Sequence, residues 1–138
     1  MEAIDIVDHM YHNDAFSQWL GIERLEEKPG YCRLAMTVRE EMTNGFAIAH
    51  GGITYSLADS ALAFASNGHG NQAVSIDTAI SHTRPVKAGD RITAEASEIS
   101  LTRRLGIYDI RITNQDHELV AVFKGTVYRT EKTWEIKK

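Results

Sequence analysis

Two kinds of periodicity run along this chain, and they fall in separate places. Ile4, Val7 and Tyr11 recur at helical spacing, and Asp14 is placed to cap a second short helix carrying Phe16, Trp19 and Leu20. Pro29-Gly30 signals a turn. After it Cys32, Leu34, Met36 and Val38 alternate with Arg33, Thr37 and Arg39, the pattern of a half-buried strand. Asn44 to Gly52 reads as a loop punctuated by glycine. From Ile53 to Ser66 the period returns to helical. Ile53, Tyr55, Leu57, Ala58, Ala61, Leu62, Phe64 and Ala65 fill just over half of the wheel, and the alanines suit close packing on a sheet. Asn67-Gly68-His69-Gly70 ends this helix.

Beyond it every segment alternates. Val74, Ile76, Thr78, Ile80 and His82 share one face, with Ser75, Asp77, Ala79 and Ser81 on the other. Pro85 and Gly89-Asp90 break the pattern before a strand with Ile92, Ala94 and Ala96. Another carries Tyr108, Ile110 and Ile112, a turn follows at Asn114-Gln115-Asp116, and Leu119 to Val127 reads as the last strand. The order is strand, long helix, then four strands on short connections, which predicts an α+β fold with an antiparallel sheet. One helix cannot cover five strands, so self-association is expected. The reading is one domain over residues 1–138, with 1–22 as an N-terminal helical segment and 130–138 as a frayed tail.

Composition narrows the function classes. With 138 residues, 43% hydrophobic and 25% charged, the chain suits one ordinary globular domain. No apolar run approaches the roughly 20 residues of a membrane span, and the opening MEAIDIVDHMYH lacks the features of a secretory signal. Cys32 is the only cysteine, so no internal disulfide is possible, and a cytoplasmic location is expected. The net charge of −4 argues against a nucleic-acid partner. His9, His12, His69, His82 and His117 show no metal-ligand spacing. Nor is there a serine-hydrolase elbow, and Asn67-Gly-His-Gly-Asn lacks the third glycine of a dinucleotide loop.

Candidate chemistry concentrates in HGGITYSLAD, His50 to Asp59. A helix beginning near Gly51 has unpaired N–H groups that carry partial positive charge, and glycine lets a ligand approach them closely. Asp59 lies just beyond Tyr55, at the margin of the apolar arc, where a solvated carboxylate is the commonest explanation. Asn44 precedes a glycine and fits a simple Asn-Gly turn, and Ser75 fits a solvent-facing strand position.

The string Asn44-Gly-Phe-x-x-x-His50-Gly-Gly, the helix with Ser56-Leu-Ala-Asp59, and the later Val74-Ser-Ile-Asp followed by Arg84-Pro85-x-x-Ala-Gly-Asp90 resemble the hotdog-fold acyl-CoA thioesterases, nearest the phenylacetic-acid-pathway branch. The resemblance implies a five- to six-stranded antiparallel sheet wrapped around one long central helix. It implies hydrolysis of an acyl-CoA, with aryl-acetyl groups such as phenylacetyl the expected substrates, and no cofactor beyond the coenzyme A of the substrate itself. The partners implied are acyl-CoA and further copies of the chain, as a homodimer or homotetramer with sites at the subunit interface. In enzymes like this the Gly51 N–H polarises the thioester carbonyl, with His50 orienting the loop or donating alongside. Asp59 is the implied catalytic carboxylate, either attacking the carbonyl or deprotonating a water. Asn44 and Ser75 are implied to contact water or the thioester, with Gly52 beside them. Arg84, Pro85 and Lys87, and the turn residues Arg103 and Arg104, are candidates for the CoA phosphates. Of the aromatic residues, Phe46, Tyr55 and Phe64 are candidate acyl-pocket liners or simply core. Two rivals remain: a hotdog dehydratase or hydratase pairing His50 with Asp59, although the proline-rich His-Phe-Pro loop of that group is missing, and a non-catalytic acyl-CoA-binding module. Eight residues separate Gly51 from Asp59, about 12 Å along a helix, so one copy of the helix is not expected to bring both groups to one thioester.

Overall fold

The computed structural model describes residues 1–137. Two short helices come first, α1 (Ala3–His12) and α2 (Ala15–Leu20). The Asp14 side chain accepts the Ser17 N–H at the start of α2, and Gly21, at φ +75°, ends it. A hairpin of β1 (Glu23–Lys28) and β2 (Tyr31–Thr37) follows, turning at Gly30 with φ +77°. A single 3-10 turn (Glu40–Met42) and a loop lead into the long helix α3 (Gly51–Asn67). The remaining elements are β3 (Asn71–His82), β4 (Arg91–Leu101), β5 (Leu105–Thr113) and β6 (Leu119–Thr133). All six strands form one antiparallel sheet in the order β1-β2-β4-β5-β6-β3.

The sheet wraps around α3. Leu57, Ala58, Ala61, Leu62 and Ala65 are buried against Leu34, Met36, Ile92, Ala94, Ile110, Ile112 and Phe123. The alanines let the helix lie close, and so does Gly125 on β6, where a Cβ would come within 2.5 Å of Leu62 Cδ2. The expected architecture, an antiparallel sheet around one long helix with short N-terminal helices, is therefore the one observed.

Four local features depart from the sequence reading. β1, with sequence ERLEEK, has no alternating apolar face and carries no strand signal in the sequence. It forms because Pro29-Gly30 folds it back along β2, so backbone pairing and the Arg24–Glu27 ion pair hold it rather than burial. α3 starts two residues early, at Gly51, which makes His50 its N-cap. The chain from Thr130 is not frayed at its start: β6 pairs through Thr133, Trp134 N–H donates to Gly70 O at 2.8 Å, and its indole Nε1 donates to the buried Asn67 Oδ1 at 2.9 Å. Finally, β3 is a sheet edge whose apolar residues Val74 and Ile76 are 58% and 59% exposed. The expected single face does not run through the strand: the register shifts between Ser75 and Asp77, so Val74 falls on the outer face while Thr78, Ile80 and His82 turn towards α3, where Thr78 meets Tyr55 and His82 meets Thr54.

Candidate active site

The glycine end is built by the turn into α3. His50 sits at φ −58°, ψ 139°, just outside the helix, and its Nδ1 accepts the Gly52 N–H at 2.9 Å. The Gly52 N–H is therefore used within the chain. The Gly51 N–H, by contrast, has no acceptor among the described residues. A donor at the first position of a 17-residue helix carries the positive end of its dipole. Gly51 lines a cavity of about 480 Å3 with Asn44, Phe46, Thr54, His82, Arg84 and Pro85. Asn44 holds the loop, its Oδ1 accepting from Phe46 N–H at 2.9 Å, while its Nδ2 has no acceptor among the described residues. Phe46 is 86% exposed at the rim of this cavity. Tyr55 and Phe64 do not line this cavity. Tyr55 packs edge-on against Phe123 and hydrogen-bonds Thr78, and Phe64 is buried against Tyr11, so both serve the core.

Asp59 lies two turns further along α3, in a different cavity, of about 280 Å3, shared with Ser75, Val74, Ala73 and Val127. It is exposed in the single chain. Desolvation by neighbouring atoms, and then the like charge of Asp14, push its carboxyl above the ordinary aspartate value. α2 is fastened alongside by Ser17 Oγ to Ser60 Oγ at 2.8 Å, which keeps Asp14 on this side of the helix.

The candidate cations divide the same way. Arg84 lines the Gly51 cavity and pairs with Glu118 at 3.2 Å, with Pro85 next to it. Lys87 is exposed in the β3–β4 connection, where its backbone N–H donates to Asp90 at 2.9 Å. Arg103 and Arg104 lie on the β4–β5 turn, both against Glu131, at 3.6 and 2.6 Å. That turn is at the far end of the sheet. Leu105 pairs with Tyr128 while Thr113 pairs with Leu119, a separation of about 26 Å at 3.3 Å per residue. So one chain holds Gly51, Asn44, Arg84 and Pro85 at one end of the sheet, with Asp59, Ser75, Arg103 and Arg104 towards the other.

Residues 46–121 match the thioesterase superfamily. The acyl-coenzyme A thioesterase PaaI of Escherichia coli is 42% identical over 120 residues, covering 87% of this chain and 86% of that protein. The chain belongs to the thioesterase superfamily. The solved structure of the E. coli PaaI protein from the phenylacetic acid degradation operon superposes with a TM-score of 0.93 at 40% identity, covering 95% of both chains. A putative esterase of Archaeoglobus fulgidus is 39% identical over 127 residues, 92% of this chain and 82% of that protein. The fold is accordingly the hotdog thioesterase fold and the protein a thioester hydrolase, as the sequence resemblance implied.

The chemistry of a thioesterase makes one further residue conspicuous. His82, the last residue of β3, has no metal-ligand spacing in the sequence, where it reads as one more position of an alternating strand, and among the described residues no group of three His, Cys, Asp or Glu side chains stands close enough to hold a metal. It lines the Gly51 cavity instead. Its Nε2 is 2.6 Å from Thr54 Oγ1, and its Cε1 would lie 3.3 Å from a Cβ at position 51. Only the contact of β3 with the start of α3 brings these residues together, 31 positions apart in the chain, so spacing carried no signal of it.

Proposed function

We propose that this thioesterase hydrolyses acyl-CoA to the free acid and coenzyme A, at sites that two copies of the chain build together. The observation that carries the reading is the division of the site: an unpaired helix-start N–H in one cavity, a carboxylate with a raised pKa in another, and a bare edge strand at the sheet end beside them. Strand β3 is 12 residues long, unpaired on one side, and exposes the apolar Val74 and Ile76. Such an edge calls for a partner strand. Antiparallel pairing of β3 with its own copy sets the His82 end of one chain beside the Ser75 end of the other. Gly51 of one copy then faces Asp59 of the next, in a homodimer or in a homotetramer of such pairs.

In that arrangement the thioester carbonyl accepts from the Gly51 N–H, which stabilises the oxyanion as charge develops. Two routes are open to Asp59. As a general base it takes a proton from water, the hydroxide adds to the carbonyl carbon, and collapse of the tetrahedral intermediate breaks the C–S bond. As a nucleophile its carboxylate adds directly, expelling the thiolate to leave an anhydride that water then cleaves. In both routes the thiolate of CoA leaves and is protonated, and no cofactor is needed. A pKa above the ordinary aspartate value makes Asp59 a better base, provided it stays ionised at the working pH. The free Nδ2 of Asn44 and the hydroxyl of Ser75 suit positioning of water or the acyl group. Arg84 and Lys87 from one copy, with Arg103 and Arg104 from another, supply cations for the CoA phosphates.

Aryl-acetyl groups such as phenylacetyl are the proposed acyl class. The exposed Phe46 ring at the cavity supports it, as does the 40% identical PaaI protein of a phenylacetic acid operon. A cytoplasmic setting is part of the proposal and rests on the one buried thiol, Cys32. The test is release of free thiol across a panel of acyl-CoA esters. Highest kcat/KM for phenylacetyl- or hydroxyphenylacetyl-CoA supports the reading, and preference for long alkyl chains refutes the acyl class. Binding of CoA esters without thiol release makes the protein a binding module. Hydration of an enoyl-CoA without thiol release makes it a hydratase.

A further inference from the structure

Glycine at a helix start is free to turn its peptide groups, and a donor that stabilises an oxyanion is effective only when already oriented. Two peptides meet at Gly51: the His50–Gly51 peptide, which carries the Gly51 N–H and whose carbonyl accepts the Ile53 N–H at 2.9 Å, and the Gly51–Gly52 peptide, which is held from both edges. His50 Nδ1 takes the Gly52 N–H. From the other side, the buried Thr54 hydroxyl donates to Gly51 O at 3.1 Å. That hydroxyl has a single proton and spends it on the carbonyl, so its 2.6 Å contact with His82 uses a lone pair. His82 Nε2 is then the donor. The result is a directed chain, His82 Nε2–H to Thr54 Oγ1–H to Gly51 O, running from the end of β3 into the first turn of α3. The His82 ring also covers the Gly51 Cα, since a Cβ there would meet its Cε1 at 3.3 Å.

We propose that His82, acting through Thr54, is a positioning residue for the thioester-hydrolysis step: it fixes the Gly51–Gly52 peptide and covers the Gly51 Cα, so that the adjoining His50–Gly51 peptide keeps its N–H in the orientation that receives the oxyanion. This rests on the assignment of Gly51 as the oxyanion donor. The relay also has a structural consequence: it ties β3, the proposed subunit edge, to the catalytic end of α3 through one hydrogen-bonded chain.

Substitutions at His82 and Thr54, alone and combined, test it, with kcat and KM for phenylacetyl-CoA measured separately and folding checked by Tm. His82→Phe keeps a ring over Gly51 but removes the donor, and Thr54→Val keeps the shape but removes the hydroxyl. Each is expected to lower kcat about tenfold to a hundredfold, less than the loss of an oxyanion donor itself, while KM changes less than about threefold. The double variant is expected to be no slower than the worse single one, because both break the same chain. Thr54→Ser, which restores the hydroxyl, is expected to recover most of the rate. Wild-type kcat in His82→Phe, or multiplied losses in the double variant, overturns the proposal. A rise in KM alone also overturns it, since that would make His82 a wall of the binding cavity and nothing more. Gly51→Pro separates this outcome from failure of the underlying assignment. If Gly51→Pro is inactive and His82→Phe is normal, only the relay is lost; if Gly51→Pro is active, the oxyanion assignment itself falls.

Discussion

A site divided between copies can be tested by mixing two inactive enzymes. Gly51→Pro removes the one backbone donor at the start of α3. The backbone accepts it, because proline is favoured at a first helical position and His50, at φ −58° and ψ 139°, already has the conformation a residue before proline adopts, and the added Cβ, 3.3 Å from His82 Cε1, asks only a small shift of that ring. Asp59→Asn removes the carboxylate and keeps its shape. The first variant is expected to lose about 10²–10³ in kcat, the second about 10²–10⁴. Within one chain the two groups lie about 12 Å apart along α3, and the strand positions beside them, Ser75 opposite Val127 and His82 opposite Ala121, are about 20 Å apart along β6. Reacting atoms must approach to roughly 3–3.5 Å, so the groups of one chain cannot serve one carbonyl. When equal amounts of the variants are dissociated, mixed and reassociated, a site works only if its Gly51 comes from an Asp59→Asn chain and its Asp59 from a Gly51→Pro chain. Each condition is met with probability one half, so about a quarter of wild-type activity returns, in a dimer or a tetramer alike. The assay is thiol release before and after mixing, with subunit exchange verified by mass-tagged chains. If exchange is complete and activity stays at the level of the separate variants, both groups act within one chain and the shared-site argument is wrong.

Two other expectations follow from the same geometry. Because the Asp59 pKa is raised in the folded state, the folded protein holds this proton more tightly than the unfolded chain. Its contribution to stability is full below the ordinary aspartate value and is lost as pH rises through the folded pKa. Activity runs the opposite way, gained as Asp59 ionises, and Asp14→Asn, which keeps the helix cap but removes the like charge, moves the acid limb of the kcat/KM profile to lower pH; an unmoved limb means Asp14 does not act on Asp59. In the core, Gly125→Ala places a methyl 2.5 Å from Leu62 Cδ2 and is expected to cost about 1–3 kcal/mol of stability by overpacking, read from chemical denaturation; an unchanged midpoint would show that Leu62 repacks freely.

Much of this protein was legible in the one-dimensional pattern. The alternation in β2, β4 and β5 and the alanine-rich arc of α3 state directly which face is buried, because burial selects residue type one position at a time. HGG followed by the acid at Asp59 was equally legible, since a helix start and a residue two turns along it are local relations. β1 was not, because its six mostly charged residues are held by a hairpin partner and ion pairs, which no periodicity records. Nor was the anchored tail, where Trp134 depends on Asn67 and Gly70, more than sixty residues away.

The sequence by itself determined the layers and the positions of the proposed oxyanion donor and the candidate carboxylate, and through the rise of a helix it also determined that Gly51 and Asp59 of one chain lie about 12 Å apart. Only the tertiary structure decided that the cations fall into two groups at opposite ends of the sheet, that Tyr55 and Phe64 belong to the core, and that His82 reaches Gly51 through Thr54. The physical reason is the same in each case. Strand register and the approach of β3 to α3 set these distances, and both are fixed by how whole elements pack rather than by neighbours in the chain.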